Sequence, residues 1–206
     1  MGDIVTIAAD EPTPHLPAFA PMVERARRVV RGCTGSFTYP DLHTIAVARL
    51  AVAVASRVSP SPSTLHDVAE GALLHDVGKL EVDDRILDKP GPLTTEELTV
   101  IREHPVRGEG MLRGAVGQAS LAVIRNHHER WDGSGYPDGL RGTETPLAAR
   151  AVAIADAYIA MREDRPYRRA LSEPEAMSEI VRSSGSQFDP ACVEALREVA
   201  TQLHSR

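Results

Sequence analysis

Apolar residues recur three and four positions apart along most of this chain, the spacing that builds one face of an α-helix. The clearest run is Leu42, Ile45, Ala46, Arg49, Leu50, Ala53 and Val54, which predicts a helix with His43 in its first turn. A first helix is expected from about Pro17 or Ala18 to Gly32, after a flexible lead-in of residues 1–16 that shows no periodicity. Ser59 to Ser63, reading SPSPS, breaks the second helix, and Ser63 or Thr64 can cap the next, through LHDVAEGALLHDVGKL. Thr94 and Glu97 have capping-box spacing for a helix reaching His104, where Pro105 kinks or restarts it.

A further helix is expected from about Gly117 to His128, followed by ERWDGSGYPDGLRG, too rich in glycine for regular structure. Pro146 suits a helix start, and Leu147, Ala151, Ile154 and Tyr158 supply its apolar stripe. Two more helices follow, one with Ser172 and Glu175 at capping-box spacing, one with Asp189 as N-cap before Pro190. No alternating strand-like run and no fixed repeat interrupts this pattern. The predicted fold is therefore all-α: one helical bundle domain over residues 17–206.

Composition narrows the classes. With 42% hydrophobic and 25% charged residues, the 206-residue chain is an ordinary globular sequence. A net charge of −6 argues against coating DNA through bulk positive charge. The longest apolar stretch, Ile45 to Val58, contains Arg49 and Arg57 and is shorter than the roughly 20 residues of a membrane span. Acids at Asp3, Asp10 and Glu11 do not suit a secretory signal, so a cytoplasmic location is expected. Cys33 and Cys192 form no CxxC pair and read as reduced packing thiols.

Eight histidines carry the candidate chemistry, several of them beside a carboxylate or a second histidine. His75 and Asp76 are adjacent on a predicted helix, close enough in angle for both to reach one ion, and Asp76 could bridge two. Lys79 follows on the same face and could hold an anion there. His66 and Asp67 form a similar pair with no matching lysine, and Asp67 falls in a first turn where the helix dipole accounts for it. His104, His127 and His128 stand at helix ends or kinks. Asp156 sits in mid-helix among apolar residues, where a carboxylate needs either a salt bridge or a cation.

HDVGK at His75 to Lys79, HP at His104, and above all HHERWDGSGYPDGL from His127 to Leu140 resemble the HD-GYP family of metal-dependent phosphohydrolases. LAARAVAIADAY, RPYRRAL and GSQFDP extend the resemblance over about Asp41 to Leu203. The resemblance implies an HD-type bundle with a GYP loop and a metal set of His43, His75, Asp76, His104, His127, His128 and Asp156. Two divalent ions would activate a hydroxide, with iron or manganese favoured by a shell of imidazole and carboxylate without thiolate. The implied substrate is cyclic di-GMP, opened to pGpG and in some members cut on to GMP. Lys79 would steady a phosphate oxygen, and Arg165 and Arg168 match positions that contact substrate phosphates. Gly133, Gly135, Tyr136 and Pro137 form the loop linked, in relatives, with diguanylate-cyclase (GGDEF) domains, and its tyrosine could face the cavity or another protein.

Three positions depart from the family pattern. Tyr39 stands where some relatives carry a third-metal glutamate, so two ions are expected; Ile159 replaces a usual aspartate; Ala46 replaces a frequent arginine. These leave two other readings open: a weakly active or inactive metal- and nucleotide-binding module signalling through the loop, or a phosphohydrolase of another nucleotide. With no sensory segment evident, regulation is expected from elsewhere. His15 and His204 read as solvent-facing, and Glu129, Arg130, Trp131 and Asp132 receive no catalytic role.

Overall fold

Asp41 opens the central helix of the bundle. Its carboxylate accepts the Thr44 backbone N–H at 2.8 Å and the Thr44 hydroxyl at 2.7 Å, satisfying donors a helix start leaves orphaned. The computed structural model describes residues 19–36, 39–164 and 169–204. Its α-helices are α1 Phe19–Thr34, α2 Leu42–Val58, α3 Pro62–Leu74, α4 Asp84–Leu87, α5 Thr95–Arg102, α6 His104–Leu112, α7 Gln118–Asn126, α8 Leu147–Arg162, α9 Glu173–Arg182 and α10 Pro190–His204. Short 3-10 helices occupy Val77–Glu81 and Gly142–Glu144, and among the described residues there is no strand beyond two isolated bridges. The all-α expectation holds.

Helix α2 lies at the centre, packed on α3, α8 and α10, while α3 also meets α7. Small side chains permit these close crossings: Ala48, Ala51 and Ala55 of α2 and Ala151 and Ala155 of α8 are fully buried. Leu65, Leu73, Leu74, Ile124, Ile154 and Leu196 fill the space between them. A charged link crosses this core, where buried Glu70 of α3 accepts the Ser120 hydroxyl at 2.7 Å and pairs with Arg25 at 3.0 Å.

Local chemistry sets several boundaries as the sequence predicts. Glu97 accepts the Thr94 N–H at 2.7 Å and Thr94 accepts the Glu97 N–H at 3.3 Å, completing that capping box. Glu175 accepts the Ser172 N–H at 2.8 Å, and Asp189 accepts the Ala191 N–H at 2.9 Å at the start of α10. Two expectations need correction. Helix α3 starts at Pro62 after Ser61, because proline is well placed where the first N–H has no partner, instead of being capped by Ser63 or Thr64. The same helix ends at Leu74 instead of running on through Leu80, and the chain tightens into the 3-10 helix after Asp76. The expected lead-in of residues 1–16, the start of α1 before Phe19, His15, Arg165, Arg168 and the His204 side chain lie outside the described residues.

No described helix is long and apolar enough to cross a membrane. Replacing Leu73, which is fully buried, by alanine is expected to cost about 2 to 5 kcal/mol of stability, whereas Val181→Ala, at 45% exposure, should change it by less than about 0.5 kcal/mol. Urea unfolding midpoints measure both, and equal shifts would contradict this placement of the core.

Candidate metal centre

Three histidines stand where a helix runs out of hydrogen-bond partners for its last carbonyls. His75 follows α3, His104 stands where α5 gives way to α6, and His127 follows α7. In each, ring Nδ1 lies against the carbonyl three residues back: His75 on Ala72 at 2.7 Å, His104 on Ile101 at 2.7 Å and His127 on Ile124 at 2.8 Å. A carbonyl only accepts, so Nδ1 carries the hydrogen and the lone pair of the neutral ring lies on Nε2. One local device thus satisfies three helix ends and turns three Nε2 atoms toward a common interior.

The carboxylate between them is Asp76. One of its oxygens lies 3.2 Å from His104 Nε2 and 3.9 Å from His127 Nε2; the other lies 3.5 Å from His75 Nε2. Two groups of donor atoms result, each with all its members within 4.8 Å of one another: Asp76, His104, His127 and His128 in one, His43, His75 and Asp156 in the other. Asp76 faces both. The seven side chains named from the sequence therefore converge from five separate stretches of chain, whereas His66 and Asp67 join neither group.

His43 is held differently. It lies in the first turn of α2; its Nε2 faces Asp156 at 3.1 Å and its Nδ1 faces Glu163 at 2.8 Å. His128 is fixed by stacking: its ring lies 4.9 Å from that of Tyr136 at an interplanar angle of 22°, and the Arg102 guanidinium lies 5.5 Å from the Tyr136 ring centre on its other contact. Tyr136 of the glycine-rich loop therefore packs into the site. The Tyr39 hydroxyl, buried, accepts the Asp76 backbone N–H at 3.2 Å, steadying the residue on which both groups depend. Lys79 donates to Asp76 at 2.6 Å, so its ammonium rests against the carboxylate at the rim of the site.

The electrostatics favour a cation. Burial, reinforced by the neighbouring imidazoles His128, His75 and His104, holds His127 well below its ordinary pKa; burial and then His104 push His128 down to about 4. Both rings are neutral at pH 7 and offer lone pairs. Burial opposes ionisation of Asp76, but His75, Lys79 and His104 outweigh it and hold its pKa well below the usual carboxylate range. His104 and His127 bring their Nε2 atoms to 3.2 Å, two lone pairs that repel unless something positive lies between. His75 Nε2 and Asp76 Oδ1 are buried without a hydrogen-bond partner. These orphaned acceptors fit a divalent ion, and the donor chemistry of imidazole and carboxylate suits one.

Two glycines exist because other chain segments pass too close for a side chain. A Cβ on Gly78 would lie 2.0 Å from the His104 carbonyl oxygen, so this residue lets the 3-10 helix press against α6 and bring Asp76 to His104. A Cβ on Gly135 would lie 2.4 Å from the Arg130 nitrogen and 2.7 Å from the His128 carbonyl oxygen, which lets the loop fold back under the histidines. Gly133, with φ of 80°, turns the chain instead. Glu129 then pins the loop by accepting the N–H groups of Asp138 at 2.7 Å, Gly139 at 3.0 Å and Leu140 at 3.2 Å. Trp131 and Asp132 tie the same loop to the stretch before α10 through backbone bonds to Gln187 and Ser186.

The sequence does not single out Glu163, and it assigns Glu129 no catalytic role. Glu129 is adjacent to the histidine pair, yet only the folded loop shows which donors its carboxylate collects. Arg165 and Arg168 fall outside the described residues, so no contact of theirs can be placed.

The chain is similar to several known proteins. A family model described as HD domain matches residues 15–192. The cyclic di-GMP phosphodiesterase response regulator RpfG of Xanthomonas campestris pv. campestris is 37% identical over 187 residues, covering 87% of this chain and 50% of that protein. The solved structure of Bd1817, an HDG"Y"P protein of Bdellovibrio bacteriovorus, superposes with a TM-score of 0.69 at 16% identity over 96% of this chain and 76% of that one. A Vibrio cholerae structure named for cyclic GMP-AMP specific phosphodiesterases gives 0.64 at 18% identity over 91% and 50%. At such identities the two structures speak for the fold. The chain spans half or less of the length of the curated relatives it matches.

The proton on His43 gives a test. Burial alone would lower its pKa, but the hydrogen bonds to Asp156 and Glu163 outweigh burial and push it up to about 10, so the ring is cationic at neutral pH. An ion captured by His43, His75 and Asp156 must displace that proton, so affinity for this group should rise with pH up to about 10; His127 and His128 are already unprotonated at neutral pH. Calorimetric manganese titrations at pH 7.5 in buffers of different ionisation enthalpy are expected to show about one proton released for the later-binding ion. Heats independent of buffer would contradict this state of His43. Gly78→Ala should weaken ion binding strongly in the same titration; unchanged affinity would contradict the close approach of Gly78 to His104.

Proposed function

We propose that this chain, which belongs to the HD domain family, hydrolyses one phosphodiester link of a cyclic dinucleotide with the help of divalent ions. The carrying observation is Asp76, a single carboxylate facing two inward-turned donor groups. His104, His127 and His128 would hold one ion with Asp76, and His43, His75 and Asp156 the second. Iron or manganese suits the mixed nitrogen and oxygen shell. Ions bound there would supply a water acidic enough to ionise near neutral pH and offset charge on the phosphoryl oxygens.

The residues of the chain do the rest. Carbonyl-anchored imidazoles hold their nitrogens inward without the cost of reordering. Lys79, resting on Asp76, is placed to meet a phosphate oxygen at the rim, and Tyr136 closes one wall against His128. Arg165 and Arg168, by resemblance, would grip phosphate as well. Water adds across one P–O bond and the ring opens to a linear dinucleotide. Cyclic di-GMP is the first candidate because the curated relative RpfG is named for it; cyclic GMP-AMP is the second, from the name of the Vibrio cholerae structure. A cytoplasmic location belongs to this reading, since Cys33 and Cys192 are free thiols.

A second reading is favoured by Ile159, which lies fully inside the core and brings no polar group to the site. In it the chain binds metal and nucleotide without turnover and signals through residues 133–137 to a partner such as a diguanylate-cyclase (GGDEF) domain. The stacking of Tyr136 on His128 weighs against that ring serving as the partner contact.

Incubation with cyclic di-GMP, cyclic GMP-AMP and cyclic di-AMP, with manganese or with ferrous iron under anaerobic conditions, separates the readings. Linear product from at least one of them is expected, with Asp76→Ala slower by a factor on the order of 100 or more. Ion binding with no product from any of the three would favour the second reading.

A further inference from the structure

Two histidines of the site lack the local anchor that fixes His75, His104 and His127: His128, braced instead by the Tyr136 ring, and His43. Those three each come just after a helix, His104 also opening α6, so that a carbonyl of the preceding helix's last turn can accept Nδ1–H. His43 sits in the first turn of α2 with no helix ending just before it, so the free groups around it are N–H donors. Its Nδ1 needs an acceptor from elsewhere. Asp156 and Glu163 stand two helical turns apart on α8 and at its end, so they share a face. Asp156 reaches Nε2 at 3.1 Å and Glu163 reaches Nδ1 at 2.8 Å, gripping the ring by both nitrogens. Ile159, one turn before Glu163, is buried in the core and offers no alternative acceptor.

We infer that Glu163 is a positioning residue for His43, and through it for the donor group His43, His75 and Asp156. This rests on the metal-site reading above. When an ion takes the place now filled by the Nε2 contact to Asp156, Glu163 keeps Nδ1–H bonded, fixes the tautomer with its lone pair on Nε2, and stops the ring from turning away. It is the carboxylate counterpart of the carbonyls behind the other histidines. Its effect is centred on one of the two donor groups, because the ring it holds, His43, belongs with His75 and Asp156 and not with His104, His127 and His128. A general structural brace would weaken both groups alike.

The test uses the full chain, stripped by a chelator and titrated with manganese alone by calorimetry, so that it reads binding and not turnover. Glu163→Ala and Glu163→Asp, the latter keeping the charge but too short to reach Nδ1, are expected to weaken one of two binding events by a factor on the order of 10 to 100 and leave the other within about threefold. Glu163→Gln, whose amide oxygen can accept the same hydrogen, should recover most of the loss. Proton–nitrogen spectra of the imidazoles should show His43 keeping its Nδ1–H form in wild type and Glu163→Gln and losing it in Glu163→Asp. Wild-type affinities in Glu163→Asp, equal weakening of both events, or no recovery with glutamine would overturn the role of Glu163. A wild-type chain that binds no manganese would instead overturn the metal-site reading on which it rests.

Discussion

Everything in the site depends on where a helix leaves its last carbonyls unpaired. Each of the helices α3, α5 and α7 ends in the same way, with a histidine just beyond it donating Nδ1–H to the final turn. The bond removes an unsatisfied acceptor and fixes a ring orientation in one step. Three lone pairs then meet among buried imidazoles, with Asp76 between them. Imidazoles with depressed pKa values, orphaned acceptors and a central carboxylate describe one electrostatic condition: a concentrated demand for positive charge.

The bundle exists to hold those helix ends together. Alanine-lined crossings of α2 with α3 and α8 bring His43, His75 and Asp156 onto neighbouring helices, while Gly78 lets the turn after His75 approach α6 closely enough for Asp76 to face His104. The loop after His128 adds the last wall. Glu129 gathers three of its backbone N–H groups, and Gly135 lets it pass beneath the histidines, so that Tyr136 comes to rest on His128. The loop is thus built from the site outward.

Much of this was legible in the sequence because it is local. Capping pairs such as Thr94 with Glu97 act within one turn, and HD and HH place two donors side by side whatever the surrounding fold. The ligand set itself came from the resemblance, since nothing in spacing alone brings His43 near Asp156. What was not legible acts over distance or through backbone. Glu163 lies 120 residues from the ring it holds and belongs to no motif. The carbonyl anchors are invisible as residue types, because any residue supplies a carbonyl. The end of α3 at Leu74 was misread for the same reason, since the apolar spacing continues while the helix stops to place His75.

The claim that two ions share Asp76 is tested most directly by anomalous diffraction from crystals of the manganese-loaded protein. Two peaks are predicted, one among His104, His127 and His128 and one among His43, His75 and Asp156, with Asp76 touching both. A single peak, or peaks away from these groups, would contradict the account.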